Sequence, residues 1–405
     1  MKESIFSQKF KHDLKQKEFN NLSEDKKLEQ RLKVYETIFA ELGDRQNRYI
    51  FYCPDISVVN NLVKTIYEFA FITKKLGYNV VVLHEIKGFK CKWLLEQYPE
   101  YKDLNLEYVI FKRGKKSKKE TNLYSFKPTD TLFIPDVFQE ILENILEAQT
   151  IQKVVLITGY TGIGALPMGY DYKSLGVEQL VYLNPILADD YSFFKNTEHN
   201  HIVDSLPINK ELFSPVDPLE VMPIICVSKI ANDKLAQQVI NIFYNKYPHL
   251  NFFAFKVLDR TNYPSYIKCL KYSCLFINLD EFVGFNQPYF EAINMGIPTT
   301  TYVRRELKFE NKNFAEEVMS FDKDPFEIAD FIAQYCNFWL NNPTSIFIEN
   351  TKELCKKIKI DKYTNTNLEK QLKKLIENLQ ESRIKFFSAF KNSIMKVNVE
   401  KEFDK

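Results

Sequence analysis

Residues 272–301 read YSCLFINLDEFVGFNQPYFEAINMGIPTTT. The run from Cys274 to Leu279 is apolar and short, as a strand buried on both faces is. Asp280, Glu281, Gly284 and Asn286 then mark a loop. The pattern predicts a helix from Pro288 to Met295. Pro288 suits the first helical turn, where its missing N–H costs nothing. Gly296 suits the residue just past the helix end, and Pro298 forbids continuation. Thr299 to Val303 reads as the next strand. Strand, loop, helix start and strand together turn free N–H groups and a positive helix end toward one crevice. Phosphate oxygens and sugar hydroxyls are held at such places.

Working outward, the same alternation recurs. Upstream, Tyr49 to Cys53 reads as a strand and Val58 to Lys75 as an amphipathic helix closed by Gly77. Asn79 to His84 is the next strand. Further strands are expected at Leu106 to Phe111, Thr131 to Pro135, Lys153 to Thr158 and Gln179 to Asn184, with a helix from Phe138 to Ala148. Such alternation builds a mostly parallel sheet. The proline-rich segment HIVDSLPINKELFSPVDP (201–218) interrupts it and reads as a crossing between domains. The alternation then resumes: strands at Pro223 to Val227 and Asn251 to Val257, helices at Lys234 to Tyr247 and Ser265 to Lys271. Residues 324–342 are helical in pattern. So is the tail from Thr351 to Lys396, where Leu368, Leu372, Leu375, Ile376 and Leu379 recur at helical spacing. Before Arg48 the chain is polar and helix-prone, with an apolar stripe at Leu28, Leu32, Val34, Ile38, Phe39 and Leu42. The division expected is a helical arm (1–47), two Rossmann-like domains (48–210 and 211–345) and a helical tail (346–405).

Composition narrows the class. At 405 residues the chain fits two ordinary domains, and 45% hydrophobic content fits a globular fold. A net charge of +2 gives no reason to expect a general nucleic-acid binder. No apolar run reaches the roughly 18 residues of a membrane span. The charged N-terminus lacks a signal-peptide core, and the seven cysteines are scattered without a C-x-x-C pair. Together these imply reduced thiols and a cytoplasmic protein. The five histidines show no zinc-ligand spacing, so zinc is not expected. The glycine-containing loop GYTGIGALPMG (159–169) reads either as a ligand cradle or as a flexible cleft loop. It lacks the G-x-G-x-x-G spacing of a dinucleotide site. The basic run Lys112 to Lys119 reads either as a solvated loop or as a contact for an acceptor or an anionic membrane.

The opening stretch resembles the signature of GT-B glycosyltransferases, above all the retaining family 4 (glycosyl transferases group 1) of the glycogen-synthase and sucrose-synthase type. Their pattern reads roughly E-G-F-G-x-P-x-x-E-A-x-x-x-G-x-P. Gly284, Phe285, Pro288, Glu291, Ala292, Gly296 and Pro298 fall in register with it. In 201–218, Pro207, Asn209, Phe213 and Pro215 loosely follow that family's interdomain crossing. VSKIANDKLAQQVINIF resembles another of its motifs, with Lys229 on the family's arginine and Lys234 on its lysine. Ser228 and Leu235 replace two family glycines. The family's glycine pair after the first strand is replaced by Pro54-Asp55-Ile56-Ser57.

The resemblance implies an α/β GT-B fold, two Rossmann-like domains facing a cleft. It implies a nucleotide diphosphate sugar as donor, with no further cofactor and no metal. Lys229 and Lys234 would face the diphosphate and offset charge on the leaving phosphate. Glu291 would hold the ribose, with Gly284, Phe285, Asn286 and Gln287 around the donor and Asp55 or Ser57 contributing from the first domain. The family's other signature glutamate falls on Val283, eight residues before Glu291. Glu281 is the residue that a reshaped loop would bring to the sugar, with Asp280 the less favoured choice. Three functions are consistent with this: transfer of a sugar, with retention, to a glycan, lipid or other acceptor; a catalytically inactive binding or assembly subunit; and glycosylation of DNA. Only the basic run favours the last. Peripheral contact with the inner membrane face through Lys112 to Lys119, and self-association through the helical termini, are further expectations.

Overall fold

The computed structural model of the chain describes residues 23, 26, 47–109, 124, 126–127, 129–139, 141–144, 151–159, 162, 166, 171–173, 175–183, 185–191, 199–204, 206–228, 233–258, 263–279, 287–302, 320–321, 324–342, 344–357 and 362–403. Apart from residues 23 and 26, the N-terminal arm lies outside them. So do the basic run Lys112–Lys119 and most of the glycine-containing loop.

β1 (Arg48–Tyr52), α1 (Asn61–Lys75) and β2 (Asn79–His84) form the expected strand-helix-strand opening of the first unit. Asn60 starts α1: its side-chain oxygen accepts from Leu62 N at 2.9 Å and Val63 N at 3.2 Å. Gly77, at φ 91°, turns the chain out of the helix into β2. α1 is buried almost all round, including Lys64, Thr65, Glu68 and Thr73. A helix buried on every side must have partners beyond its own sheet.

α2 (Lys92–Gln97), β3 (Asn105–Tyr108), β4 (Thr131–Pro135), α3 (Ile141–Asn144), β5 (Gln152–Ile157), β6 (Val177–Tyr182), α4 (Pro185–Asp190) and β7 (His199–Ile202) complete the first region. The seven strands form one parallel sheet in the order β3-β2-β1-β4-β5-β6-β7. Of the expected helix 138–148, the described residues show a turn at Asp136–Phe138 and then α3, and 145–148 lie outside them. β7 corrects the reading of the crossing, because His201 and Ile202 belong to the sheet. The chain leaves it only at Val203.

The second sheet comprises β8 (Met222–Ser228), β9 (Ala254–Leu258), β10 (Ser273–Asn278), β11 (Thr299–Tyr302) and β12 (Ser320–Phe321). It is also parallel, in the order β12-β11-β10-β8-β9. Its helices are α5 (Asp233–Lys246), α6 (Tyr263–Lys271), α7 (Gln287–Asn294), α8 (Pro325–Leu340) and α9 (Thr344–Lys357). β5 and β10 are buried along their whole lengths, as parallel strands covered on both faces are.

The expected continuous tail is broken. α9 ends at Lys357, and α10 (Asn365–Phe403) starts after Thr364, whose hydroxyl accepts from Asn367 N. α10 returns to the first unit, burying Leu368, Leu372, Leu375, Ile376 and Leu379 in the core that contains α1. Gln380 reaches the Tyr49 hydroxyl at 3.2 Å and Arg383 pairs with Glu178 at 3.3 Å.

The two units meet across a continuous apolar core. Trp93 and Tyr98 from the first unit lie in one buried cluster with Tyr263, Tyr266, Tyr289 and Phe290 from the second. The crossing also docks on α7: Val216 N donates to Met295 O at 2.9 Å, and Asn294 Nδ2 to Phe213 O at 2.8 Å.

Candidate functional site

Ligand crevices in open parallel sheets form at the strand C-termini, where the strand order reverses. In the second sheet the chain steps from β8 out to β9 and then back across to β10. The reversal therefore lies between β8 and β10, where Asn278 stands opposite Ser228, both buried. The quoted stretch begins with β10 and continues into α7, so it borders this point. Of the residues expected there, Lys229, Asp280, Glu281, Val283, Gly284, Phe285 and Asn286 lie outside the described residues. Lys234 is the second residue of α5 and is exposed. Gln287 opens α7 and is buried.

Glu291 is the fifth residue of α7, not at its N-terminal end. The dipole acts within the first turn, so it gives this carboxylate little support. Side-chain partners hold the carboxylate instead. Tyr266, on α6, donates to Oε2 at 2.9 Å. Lys64, on α1 of the first unit, brings Nζ to 3.6 Å from Oε1. The Glu291 side chain is 4% exposed and that of Lys64 6%. The residue expected to meet ribose is thus covered by the other unit's lysine.

The surroundings are aromatic and acidic. Lys64 Nζ lies 5.3 Å from the Tyr98 ring centre. Tyr98 stacks on Tyr101, whose hydroxyl bonds Glu68 one turn along α1. Tyr263 stacks on Tyr266. Burial pulls the Lys64 ammonium toward deprotonation, but Tyr98, Glu291 and Glu68 together outweigh it and leave its pKa raised. Burial pushes the Glu68 carboxyl up, against the Tyr101 hydrogen bond and Lys64. Tyr263 is held well above the usual phenol range, by burial first and then by Glu291.

The first sheet reverses between β1 and β4, and two carboxylates mark that edge. Asp55 accepts from His84 Nδ1 at 2.9 Å, Glu85 N at 3.1 Å and Ile86 N at 2.7 Å. It stitches the loop after β1 to the loop after β2, a structural task for a residue expected to meet ligand. Ser57 is exposed. Sequence reasoning missed Asp136, directly after β4. Its carboxylate accepts from Thr158 Oγ1 at 2.6 Å and Gly159 N at 3.4 Å. Burial lifts its pKa to about 6, against those hydrogen bonds. A Cβ on Gly162 would lie 2.1 Å from Asp136 Oδ2, so this glycine is required by the protein's own carboxylate. The signal was an Asp ending the run TLFIPD at a parallel strand's C-terminus.

Among the described residues no three His, Cys, Asp or Glu side chains are grouped as a metal site needs, and no helix is long and apolar enough to cross a membrane.

No protein-family model and no curated protein matches the chain. Solved structures do. Sucrose-phosphate synthase from Thermosynechococcus elongatus aligns with TM-score 0.56 and 9% identity, over 83% of this chain and 100% of that one. The pneumococcal O-GlcNAc transferase GtfA, solved with UDP and GlcNAc, aligns with TM-score 0.53 and 11% identity, over 83% and 99%. The N-terminal domain of Candida albicans trehalose-6-phosphate phosphatase aligns with TM-score 0.53 and 9% identity, over 84% and 97%. At such identities the likeness establishes the fold. The chain is an α/β protein of the GT-B glycosyltransferase fold, with two Rossmann-like units.

Proposed function

We propose that the chain is a glycosyltransferase that binds a nucleotide diphosphate sugar at the β8–β10 crevice and transfers the sugar with retention. The observation that carries this reading is the placement of the signature stretch: β10 and α7 border the point where the second sheet reverses. In the reaction the anomeric carbon–phosphate oxygen bond breaks and a bond to the acceptor oxygen forms. The acceptor's proton passes to the departing phosphate, and a nucleoside diphosphate leaves. Lys229 and Lys234 would offset the charge that grows on that phosphate, Glu291 would accept from the ribose hydroxyls, and Glu281 would reach the sugar.

Calorimetry with UDP-, GDP- and ADP-sugars, paired with donor hydrolysis assays, tests this. Changing Lys229 and Lys234 together to Ala should cost about 1.5–3 kcal/mol of donor affinity for each ammonium–phosphate bond removed. Glu291→Gln should weaken nucleotide binding. Glu281→Gln should lower turnover with little effect on the nucleotide alone. Donor affinity unchanged in the double variant would remove the assignment of the lysines.

A second reading is a binding or assembly subunit without catalysis. The cover that Lys64 places over Glu291 favours it, because the carboxylate already has partners inside the protein. Nucleotide binding without turnover on any acceptor class would select it.

A further inference from the structure

The contact between α1 and α7 contains more hydrogen-bond donors than it satisfies. Lys64 Nζ is buried without a hydrogen-bond partner; its ion-pair distance to Glu291 exceeds hydrogen-bond length. The hydroxyls of Tyr98 and Tyr263 likewise have no partner within hydrogen-bond length, although Tyr98 lies near enough to Lys64 and to Tyr263 to interact with both. An ammonium and two phenols carry five N–H and O–H bonds in all. Leaving such groups unpaired in the interior is unfavourable. A group rich in acceptor oxygens would meet that need. The N–H groups of Leu62 and Val63 in the first turn of α1 are not free to hold such a group, since Asn60 already accepts from both. What α1 offers at this contact is the Lys64 side chain.

We propose that Lys64 is a nucleotide-binding residue supplied by the first unit, pairing with Glu291 until a nucleoside diphosphate arrives and then turning to its phosphate oxygens. The inference rests on Glu291 as the ribose contact. When ribose hydroxyls occupy Glu291 they bring no positive charge, and Lys64 is displaced from the pair, with Glu68 its remaining carboxylate neighbour. The phosphate supplies a new counter-ion, and Tyr98 and Tyr263 donate to the same oxygens. Both members of the pair are buried between the units, so α1 and α7 must part for the ligand to enter. Lys64 is separate from Lys229 and Lys234, which belong to the second unit.

Calorimetry on the full chain with a nucleoside and its diphosphate (uridine and UDP, guanosine and GDP, adenosine and ADP) tests the idea. Lys64→Met should weaken the diphosphate by about tenfold or more, the loss of one charge-assisted bond. It should leave the nucleoside unchanged or tighter, because the lysine no longer competes for Glu291. Lys64→Arg should restore most of the preference for the diphosphate. A diphosphate-to-nucleoside ratio unchanged in Lys64→Met overturns the inference and leaves the proposed function standing. Failure of the wild type to bind any of the six compounds overturns both. If Lys64→Met does not fold, the double change Tyr98→Phe with Tyr263→Phe should lower the same ratio severalfold, and an unchanged ratio there overturns the inference as well.

Discussion

Two buried charge pairs in this molecule are built differently. At the N-terminal edge of the first sheet, Arg48 bonds Asp130 through two nitrogens, at 2.9 and 2.5 Å, and Tyr124 through a third at 3.2 Å. Asp130 also accepts from Lys127 N at 2.7 Å. Between α1 and α7, Lys64 and Glu291 face each other without a hydrogen bond, beside two unbonded phenols. The first pair has the forked geometry that offsets part of the cost of removing charge from water, and burial still holds the Asp130 carboxyl above its usual range. The second lacks that geometry. A fully bonded pair fastens a fold, whereas an under-bonded pair at a contact between units can exchange partners at low cost.

The contrast predicts a graded series. Arg48→Met should cost about 3–5 kcal/mol in urea unfolding, because it strands the buried Asp130. Asp136 is a third kind of buried charge, held by hydrogen bonds. Its folded-state pKa, about 6 against 3.8, means that the folded chain keeps a proton the unfolded chain has lost. Stability should therefore fall as pH rises from near 4 to near 6, by about 3 kcal/mol in total, and stay level above. Asp136→Asn should flatten that slope; a slope surviving in the variant would assign it to other groups. Lys64→Met combined with Glu291→Gln removes both members of the pair, while burial keeps the neighbouring Glu68 toward its protonated form, and should shift stability by less than about 2 kcal/mol. A loss as large as that of Arg48→Met would break the comparison. The exposed pair Lys385–Glu381 on α10 sets the lower end, and Lys385→Ala should leave the melting temperature unchanged within error.

These differences also separate what was legible in the sequence from what was not. The β10–α7 unit was legible because Gly296, at φ 82°, and Pro298 punctuate it and the strand is a pure apolar run. β7 was not, since HNHI has no apolar run and is a strand only through its pairing with β6. α2 is a six-residue helix, too short to show a period. Glu291 was legible through its place in a motif, but its partner Lys64 was not. Lysine on an amphipathic helix reads as solvated, and only packing from the second unit and α10 buries α1 all round. Asp55 and Asp136 sit at crevice edges as ligand-binding carboxylates do, yet each is bonded to the protein's own backbone.

The path of α10 has a consequence for synthesis. The first unit comprises residues 48–202 and also the helix that begins at Asn365. At roughly 5–20 residues per second, about 8–30 seconds separate the emergence of β7 from that of α10. During that interval the face of α1 that will receive Leu368, Leu372 and Leu375 has no cover. The part of the chain made first is thus the part finished last. A nascent chain stalled before residue 365 should be cut by protease within residues 48–202, while the released full-length chain resists.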